Sequence, residues 1–204
     1  MSKKYFVTGI GTEIGKTIIS AILVEKLKAD YWKPIQSGEL ESSDTIKVSH
    51  LICNSISKFH PEAYQLTQPF SPHYSAKLDG VSVSLAEINL PETTQNLIIE
   101  GAGGLLVPIN DKDLMIDLIQ KLNIEVILVS KNYLGSINHT LLSVEALKSR
   151  GIAIKGIIFN GTKNQSTEEI ITSLTGLAVI GRVPEMEIID KESIKKATSF
   201  IDDL

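Results

Sequence analysis

Phe6-Val7-Thr8-Gly9-Ile10-Gly11-Thr12-Glu13-Ile14-Gly15-Lys16-Thr17 is the stretch on which the fold turns. The apolar run from Lys4 to Thr8 reads as a buried strand, the glycines that follow as a loop, and Gly15-Lys16-Thr17 as the opening of a helix. A loop of this kind aims backbone N–H groups at a polyphosphate, and the helix N-terminus adds partial positive charge. Lys16 is placed to reach the outer phosphates and Thr17 to offer its hydroxyl to Mg²⁺. The spacing departs from the usual pattern of Gly, four residues, Gly-Lys-Thr: Gly9 lies one position early and Ile10 takes its slot. Glu13 is unusual in such a loop, because a carboxylate opposes bound phosphate unless it faces metal, substrate or solvent.

Outward from this loop, short apolar runs alternate with helical patterns. Lys16 to Lys28 places Ile18, Ile19, Ile22, Leu23 and Leu27 on one helical face. Strands are expected at Tyr31 to Ile35, Asn96 to Ile99, Glu125 to Ser130, Ala153 to Phe159 and Leu177 to Ile180. Helices are expected at Thr45 to Ile52, Leu114 to Leu122, Ile137 to Arg150 and Lys191 to Ile201. The segment from about Asn54 to Pro91 carries Pro61, Pro69, Pro72 and Pro91 and reads as irregular, with some helix over one end of the sheet. The alternation predicts an α/β chain with the P-loop NTPase fold: one domain over residues 1–204, a doubly wound, mostly parallel sheet with helices on both faces and right-handed crossovers.

Composition narrows the function. A net charge of -4, with Arg150 and Arg182 the only arginines, argues against a nucleic-acid binder. Cys53 is alone, so neither an internal disulfide nor a thiolate metal cluster can form. The apolar run after Met1-Ser2-Lys3-Lys4 is interrupted at once by Thr8-Gly9, and no stretch reaches the length of a membrane span. The expectation is a cytoplasmic protein with no membrane partner.

A phosphate loop of this kind works with carboxylates that hold Mg²⁺. Leu97-Ile98-Ile99-Glu100-Gly101-Ala102-Gly103-Gly104 carries Glu100 at the C-terminal end of an apolar strand, the edge where ligands sit in such sheets. Asp44 is a second candidate, reading equally as an N-cap or first-turn helix acid. Lys33, in Trp32-Lys33-Pro34-Ile35-Gln36-Ser37-Gly38, reads equally as a phosphate-facing lysine and as a surface lysine with its stem laid on apolar surface.

Taken in order, these pieces resemble the dethiobiotin synthetase family. The resemblance rests on Tyr5 to Gly9 with Thr12 to Thr17, Lys33-Pro34 with Ser37-Gly38, Ser43-Asp44, and Ser71-Pro72-His73. It continues in Glu100 to Gly104, Leu134-Gly135 with Ile137-Asn138-His139, Asn160 and Val183-Pro184. It implies an ATP- and Mg²⁺-dependent ligase that makes a cyclic urea from 7,8-diaminononanoate and CO2 as a homodimer. By that resemblance Lys16 and Lys33 neutralise phosphate and carbamate, while Thr12 and Ser37 contact their oxygens. Thr17, Asp44 and Glu100 form the metal set. Glu13, Ile14, Gly15 and Ile18 join Lys16 and Thr17 around ATP, together with Gly101, Ala102 and Gly103. Asn160 hydrogen-bonds adenine, framed by Gly161, Val183, Pro184 and Glu185. Leu134, Gly135 and Asn138, contributed by the other subunit, hold the substrate carboxylate, and Ser37 is a further substrate contact. The helix predicted after Gly135-Ser136 has its own reason to hold a carboxylate at its N-terminus, and Ser136 reads alternatively as an ordinary cap.

The chain departs from the family's pattern at Gly11, where Asp is usual, at Tyr133, where a basic residue is common, and in a short segment after Pro184. His73 and His139 read as structural. The alternative is a regulatory ATPase of the partitioning type, which usually carries an extra lysine early in the loop, where this chain has Gly11. A GTPase is disfavoured because Asn160-Gly161-Thr162-Lys163 is not a guanine-reading Asn-Lys-x-Asp. A non-catalytic nucleotide-binding module is the remaining alternative.

Overall fold

In the computed structural model, which describes residues 2–204, the apolar runs become strands wherever both their faces can be covered. The elements in chain order are β1 (Lys4–Gly9), α1 (Lys16–Leu27), β2 (Asp30–Trp32), β3 (Ile35–Ser37), α2 (Asp44–Leu51), β4 (Phe59–His60), β5 (Tyr64–Leu66) and α3 (Pro72–Leu78). There follow β6 (Leu97–Gly104), α4 (Met115–Leu122), β7 (Glu125–Lys131), α5 (Ser136–Ser149), β8 (Ile154–Asn160), α6 (Gln165–Thr175), β9 (Val179–Val183) and α7 (Lys191–Ala197). Seven strands form one sheet in the order β4-β2-β6-β1-β7-β8-β9, with every neighbouring pair parallel.

The period of two along each strand divides the core into two layers. Tyr5 and Val7 of β1, Ile98 of β6 and Ile127 and Val129 of β7 pack on the side of Ile19 and Ile22 from α1 and Ile194 from α7. Phe6, Leu97, Ile99 and Val126 face the other way, onto Leu118 and Ile119 of α4 and Leu147 of α5. A parallel sheet covered on both faces explains why its strands read as nearly unbroken apolar runs. Helix α1 is buried around most of its circumference, with Ile19 through Glu25 all inaccessible, so its wheel shows no clean polar face.

Several boundaries differ from the sequence expectation. The strand expected at Tyr31 to Ile35 is two strands. β2 stays in the main sheet, while β3 pairs with β5 in a separate two-stranded sheet. Pro34 sits at the break, and its carbonyl accepts from Ala63 N and Tyr64 N at 2.9 and 3.1 Å. β6 does not end near Glu100: it continues through the glycines to pair Gly9 with Gly104, so Glu100 is mid-strand, opposite Val7. The last strand runs on to Val183, because Phe159 and Asn160 of β8 supply partners for Arg182 and Val183. The final helix is shorter than expected. It stops at Ala197, and Ile201 turns back to bridge Gly181 on the outer edge of β9. Helix α6, between Gln165 and Thr175, was not expected. Its signals are local: Asn164 accepts from Thr167 N at 3.1 Å as N-cap, and Gly176, with φ 67°, closes the C-terminus.

Candidate active site

Beyond the C-terminal ends of β1, β2 and β6 lies a cleft of about 630 Å³, the position where open parallel sheets bind ligands. Its lining includes Thr12, Glu13, Gly15, Lys16, Thr17, Lys33, Ser37, Asp44, Glu100, Ala102 and Gly103. Four stretches far apart in sequence therefore meet at one rim.

The loop before α1 is set by sterics. Gly15 has φ 88°, and a Cβ there would stand 2.1 Å from Nδ2 of Asn160. That amide donates to the carbonyl of Ile14 at 2.8 Å, so the end of β8 braces the loop. Glu13 also adopts a left-handed conformation, φ 55°, a strained choice for a side chain of its size. At Gly9 a Cβ would meet Ile14 Cδ1 at 2.1 Å, which explains a glycine at this position. Gly11 differs: nothing lies within 4 Å of a Cβ built there, so a larger side chain fits at the site of the departure from the family pattern. Its carbonyl accepts from Lys16 Nζ at 2.8 Å.

The acidic cluster is tightly paired. Glu100, 1% exposed, accepts from Thr17 Oγ1 at 2.8 Å and from Lys33 Nζ at 3.3 Å on Oε1, and from Tyr31 Oη at 2.9 Å on Oε2. Lys33 also pairs with Asp44. The alternative reading of Lys33 as a surface lysine fails, because its side chain is buried. Asp44 is the acid in the first turn of α2 but not its N-cap. Ser43 is the N-cap of α2, accepting from Ile46 N at 3.3 Å, and the Asp44 carboxylate turns to Lys33.

Electrostatics separates the two lysines. Burial acts against the charge of both. Around Lys33 the carboxylates of Glu100 and Asp44 overcome it and hold the pKa above the usual lysine range. At Lys16 burial prevails, aided by the neighbouring Lys33 charge, and the pKa falls to about 8. Burial acts against the Asp44 carboxylate as well, but Lys33 outweighs it and lowers the pKa. Tyr31 is pushed well above the usual phenol range by burial and by Glu100 and Asp44, so it stays a hydrogen-bond donor.

Ser37 presents a buried Oγ with no hydrogen-bond partner at this cleft. An orphaned hydroxyl beside two lysines marks a place for a ligand oxygen. The donor set Thr17, Asp44 and Glu100 is made of hard oxygens, suited to Mg²⁺. Among the described residues no group of three His, Cys, Asp or Glu converges, so such an ion must draw its remaining ligands from phosphate and water.

The other expected residues lie elsewhere on the rim. Ile18 packs against the core on the α1 side, and Gly101 faces Phe6, where a Cβ would approach the ring to 2.8 Å. Asn160 and Val183 are register partners at the ends of β8 and β9, and Gly161 N donates to Val183 O at 2.9 Å. Glu185, after Pro184, accepts from Thr162 Oγ1 at 2.9 Å. Arg182 reaches across with Nη1 to the carbonyls of Gly161 and Val183 at 3.0 and 3.3 Å.

Leu134, Gly135 and Asn138 line a different cleft, of about 750 Å³, formed by the loops after β7 and β8. It shares no lining residue with the phosphate cleft. The N-cap of α5 is Gly135, φ 101°, and not Ser136, which is buried as the first helical residue. Tyr133 Oη and His139 Nδ1 lie 2.8 Å apart on the exposed side of this cleft.

Sequence reading missed Tyr31, Gln36 and the wall made by Pro69, Phe70, Ser71 and Pro72. Gln36 bridges Asp44 N and the Gly38 carbonyl, at 3.3 and 2.9 Å. Only the Ser71-Pro72-His73 run carried any signal for that wall.

Comparison with known proteins agrees with this geometry. The family profile described as "AAA domain" matches residues 3–193. A protein of Christiangramia forsetii called ATP-dependent dethiobiotin synthetase is 54% identical over 96% of this chain and 94% of its own length. Proteins of the same name from Cytophaga hutchinsonii and Brucella ovis are 53% and 46% identical, over 94% and 95% of this chain and 93% and 92% of their own. Among solved structures, the cell division ATPase MinD of Pyrococcus furiosus superposes with a TM-score of 0.64 at 14% identity, covering 98% of both chains. A ParA family ATPase of Chlorobium tepidum gives 0.61 at 13% identity, covering 98% of this chain and 92% of that one. Identity this low shows the fold alone, while the relatives near half identity carry the family. The chain belongs to the ATP-dependent dethiobiotin synthetases.

Proposed function

We propose that this chain, working as one domain in a cytoplasmic homodimer, closes the ureido ring of dethiobiotin from 7,8-diaminononanoate and CO2, converting ATP to ADP and phosphate. The observation that carries the reading is the buried Lys33 ammonium, held between Asp44 and Glu100 in the cleft that also contains Lys16 and the unpartnered Ser37 hydroxyl. This arrangement places fixed positive charge where an anion forms from neutral reactants.

Only an unprotonated amine attacks CO2, and two lysines beside the site favour that form and the carbamate it becomes. Ser37 and Thr12 donate to carbamate or phosphate oxygens. The carbamate then attacks the γ-phosphate, cradled by Gly15, Lys16 and the loop amides. The second amine closes on the mixed carbamic–phosphoric anhydride and expels phosphate, a step favoured because both groups belong to one bound molecule. Thr17, Asp44 and Glu100 are the residues that would hold Mg²⁺, which supplies charge neutralisation of the phosphates when bound. Asn160 accepts from adenine through Oδ1, its Nδ2 being engaged with Ile14 O, while Gly161, Val183, Pro184 and Glu185 frame the base.

Separation of the second cleft from the first supports a substrate site shared between subunits. Leu134, Gly135 and Asn138 offer a helix N-terminus for the carboxylate tail, beside the exposed apolar side chains of Leu134, Ile137 and Leu142. A coupled assay tests the whole reading: phosphate release must depend on both diaminononanoate and bicarbonate. ATP hydrolysis indifferent to the diamine would favour the partitioning-type alternative and remove this one.

A further inference from the structure

Glu100 is addressed from two directions by one short stretch of chain, β2 and the residue that follows it. In the pairing of β2 with β6, Tyr31 stands opposite Ile98 and Trp32 opposite Ile99. Tyr31 and Ile98 belong to the same layer of the core, the one that faces α1. Alternate residues share a face of a strand, so Glu100, two positions beyond Ile98, returns to the Tyr31 side. Lys33 does the same, two positions beyond Tyr31. The outcome is a carboxylate gripped at both ends: Tyr31 Oη on Oε2 at 2.9 Å, Lys33 Nζ on Oε1 at 3.3 Å, with Thr17 Oγ1 also on Oε1 at 2.8 Å.

A carboxylate offers about four acceptor directions. These three donors occupy both directions of Oε1 and one of Oε2. The direction that remains is on Oε2, the oxygen that Tyr31 holds. The Tyr31 ring is itself immobilised: it is fully buried and lies 6.0 Å, centroid to centroid, from Phe59. The phenol is thus a rigid strut from the core, and without it nothing fixes the rotation of the Glu100 carboxylate about its last bond except the two donors on the other oxygen.

We infer that Tyr31 is a positioning residue for the magnesium site, orienting the Glu100 carboxylate so that the free direction of Oε2 faces the nucleotide-bound cation. The inference rests on the metal set proposed above and extends it by one residue that touches neither nucleotide nor substrate. Partners that orient a metal-binding carboxylate typically contribute about 10–100-fold to metal affinity.

The test is Tyr31→Phe, which keeps the ring and deletes the hydroxyl. Binding of Mn²⁺ to the protein with a non-hydrolysable ATP analogue, followed by the loss of the free-ion electron paramagnetic resonance signal, is expected to weaken by roughly tenfold or more. Affinity for the same nucleotide in excess chelator is expected to stay within about twofold, because the loop amides and Lys16 are unaltered. Activity should be recovered by added Mg²⁺, whereas a merely structural loss would scale activity down at every Mg²⁺ concentration. Unchanged or tighter Mn²⁺ binding overturns the inference.

A second reading needs no variant. The buried Tyr31 hydroxyl proton of the unmodified chain should exchange slowly and shift in its NMR resonance when Mg²⁺ is added to the nucleotide complex. A resonance indifferent to the ion overturns the inference even if Tyr31→Phe does not fold. Because diamine and bicarbonate are absent from both measurements, the two claims fail separately. A wild-type chain that binds Mn²⁺ with nucleotide yet closes no ring loses the reaction and keeps the strut. A Tyr31→Phe chain with normal Mn²⁺ affinity and normal ring closure loses the strut and keeps the reaction.

Discussion

The phosphate cleft and the mouth of α5 are built in opposite ways. At the cleft the charged groups are inside: Lys33, Lys16 and Glu100 are all buried, and each has a named partner. At the α5 mouth the residues proposed to hold the carboxylate are outside: Leu134 is fully exposed, and Tyr133, Ile137 and Leu142 present apolar surface without cover. Burying a charge is costly unless it is paired, and this cleft buries Lys16, Lys33 and Glu100 with Asp44 half-buried beside them, so its charged groups are pre-formed within one chain. An exposed apolar cluster beside a helix N-terminus is an unfinished surface. The contrast fits the division proposed above, in which one subunit holds the groups for phosphoryl transfer and a second copy completes recognition of the diamine's far end.

The comparison breaks most directly at Lys33. Lys33→Ala removes the cation between Asp44 and Glu100, and kcat should fall roughly 10²-fold or more if that ammonium stabilises the developing anion. Near-normal turnover in steady-state kinetics would take Lys33 out of the mechanism. Next in size is Glu100→Gln, which keeps shape and loses charge. The Mg²⁺ concentration for half-maximal activity should rise about 10–100-fold, and an unmoved Mg²⁺ titration would count against a metal role.

The α5 mouth should respond differently. Leu134→Asp sets a negative charge where a carboxylate tail is expected and breaks the apolar patch. The KM for diaminononanoate should rise about tenfold, in keeping with the loss of one central interface contact, and the sedimenting species should shift toward monomer. Affinity for Mg²⁺–nucleotide should stay as it was. A parallel loss of nucleotide affinity would merge the two regions into one and end the comparison.

The smallest effect serves as a control outside both regions. Glu25 on α1 is a buried carboxylate with a structural task. Burial opposes its charge, but Lys28, Asn54 and the amide of Cys53 outweigh it and hold the pKa at about 2. Its folded pKa lies below the unfolded carboxylate value, so its contribution to stability is full above about pH 4.3 and is lost as pH falls toward 2. Glu25→Gln should therefore cost on the order of 2 kcal/mol at neutral pH and flatten the acid limb of the stability curve. Denaturant titrations at pH 7 and pH 3 read this out. An equal loss for the variant at both pH values would show that packing, not charge, is what Glu25 supplies.

How much was legible depends on whether the signal was local. The loop from Gly9 to Thr17 was readable because its requirements are set by its own neighbours: a strand before, a helix after, and a glycine, Gly15, at the positive-φ residue that opens the helix. The central strands were readable because a parallel sheet buried on both faces demands continuous apolar runs. Helix α6 carried its own cap at Asn164 and its own stop at Gly176 and was overlooked, since its apolar content is thin. Glu100 was set at a strand end although β6 continues past it to Gly104, because glycines suggest a loop until a partner strand is known to continue beside them.

The sequence by itself determined the alternation of central strands and helices, the phosphate loop and the candidates Lys16, Lys33, Asp44 and Glu100, since apolar period and loop chemistry are properties of adjacent residues. Only the tertiary structure decided that Lys33 is buried and paired rather than surface-lying, and that Tyr31 reaches Glu100. Each of those depends on strands β2 and β6, 67 positions apart at Asp30 and Leu97, lying side by side in one register. Which side chains a long-range pairing brings within hydrogen-bond distance is set by the packing of the whole sheet, and no short window of the chain contains it.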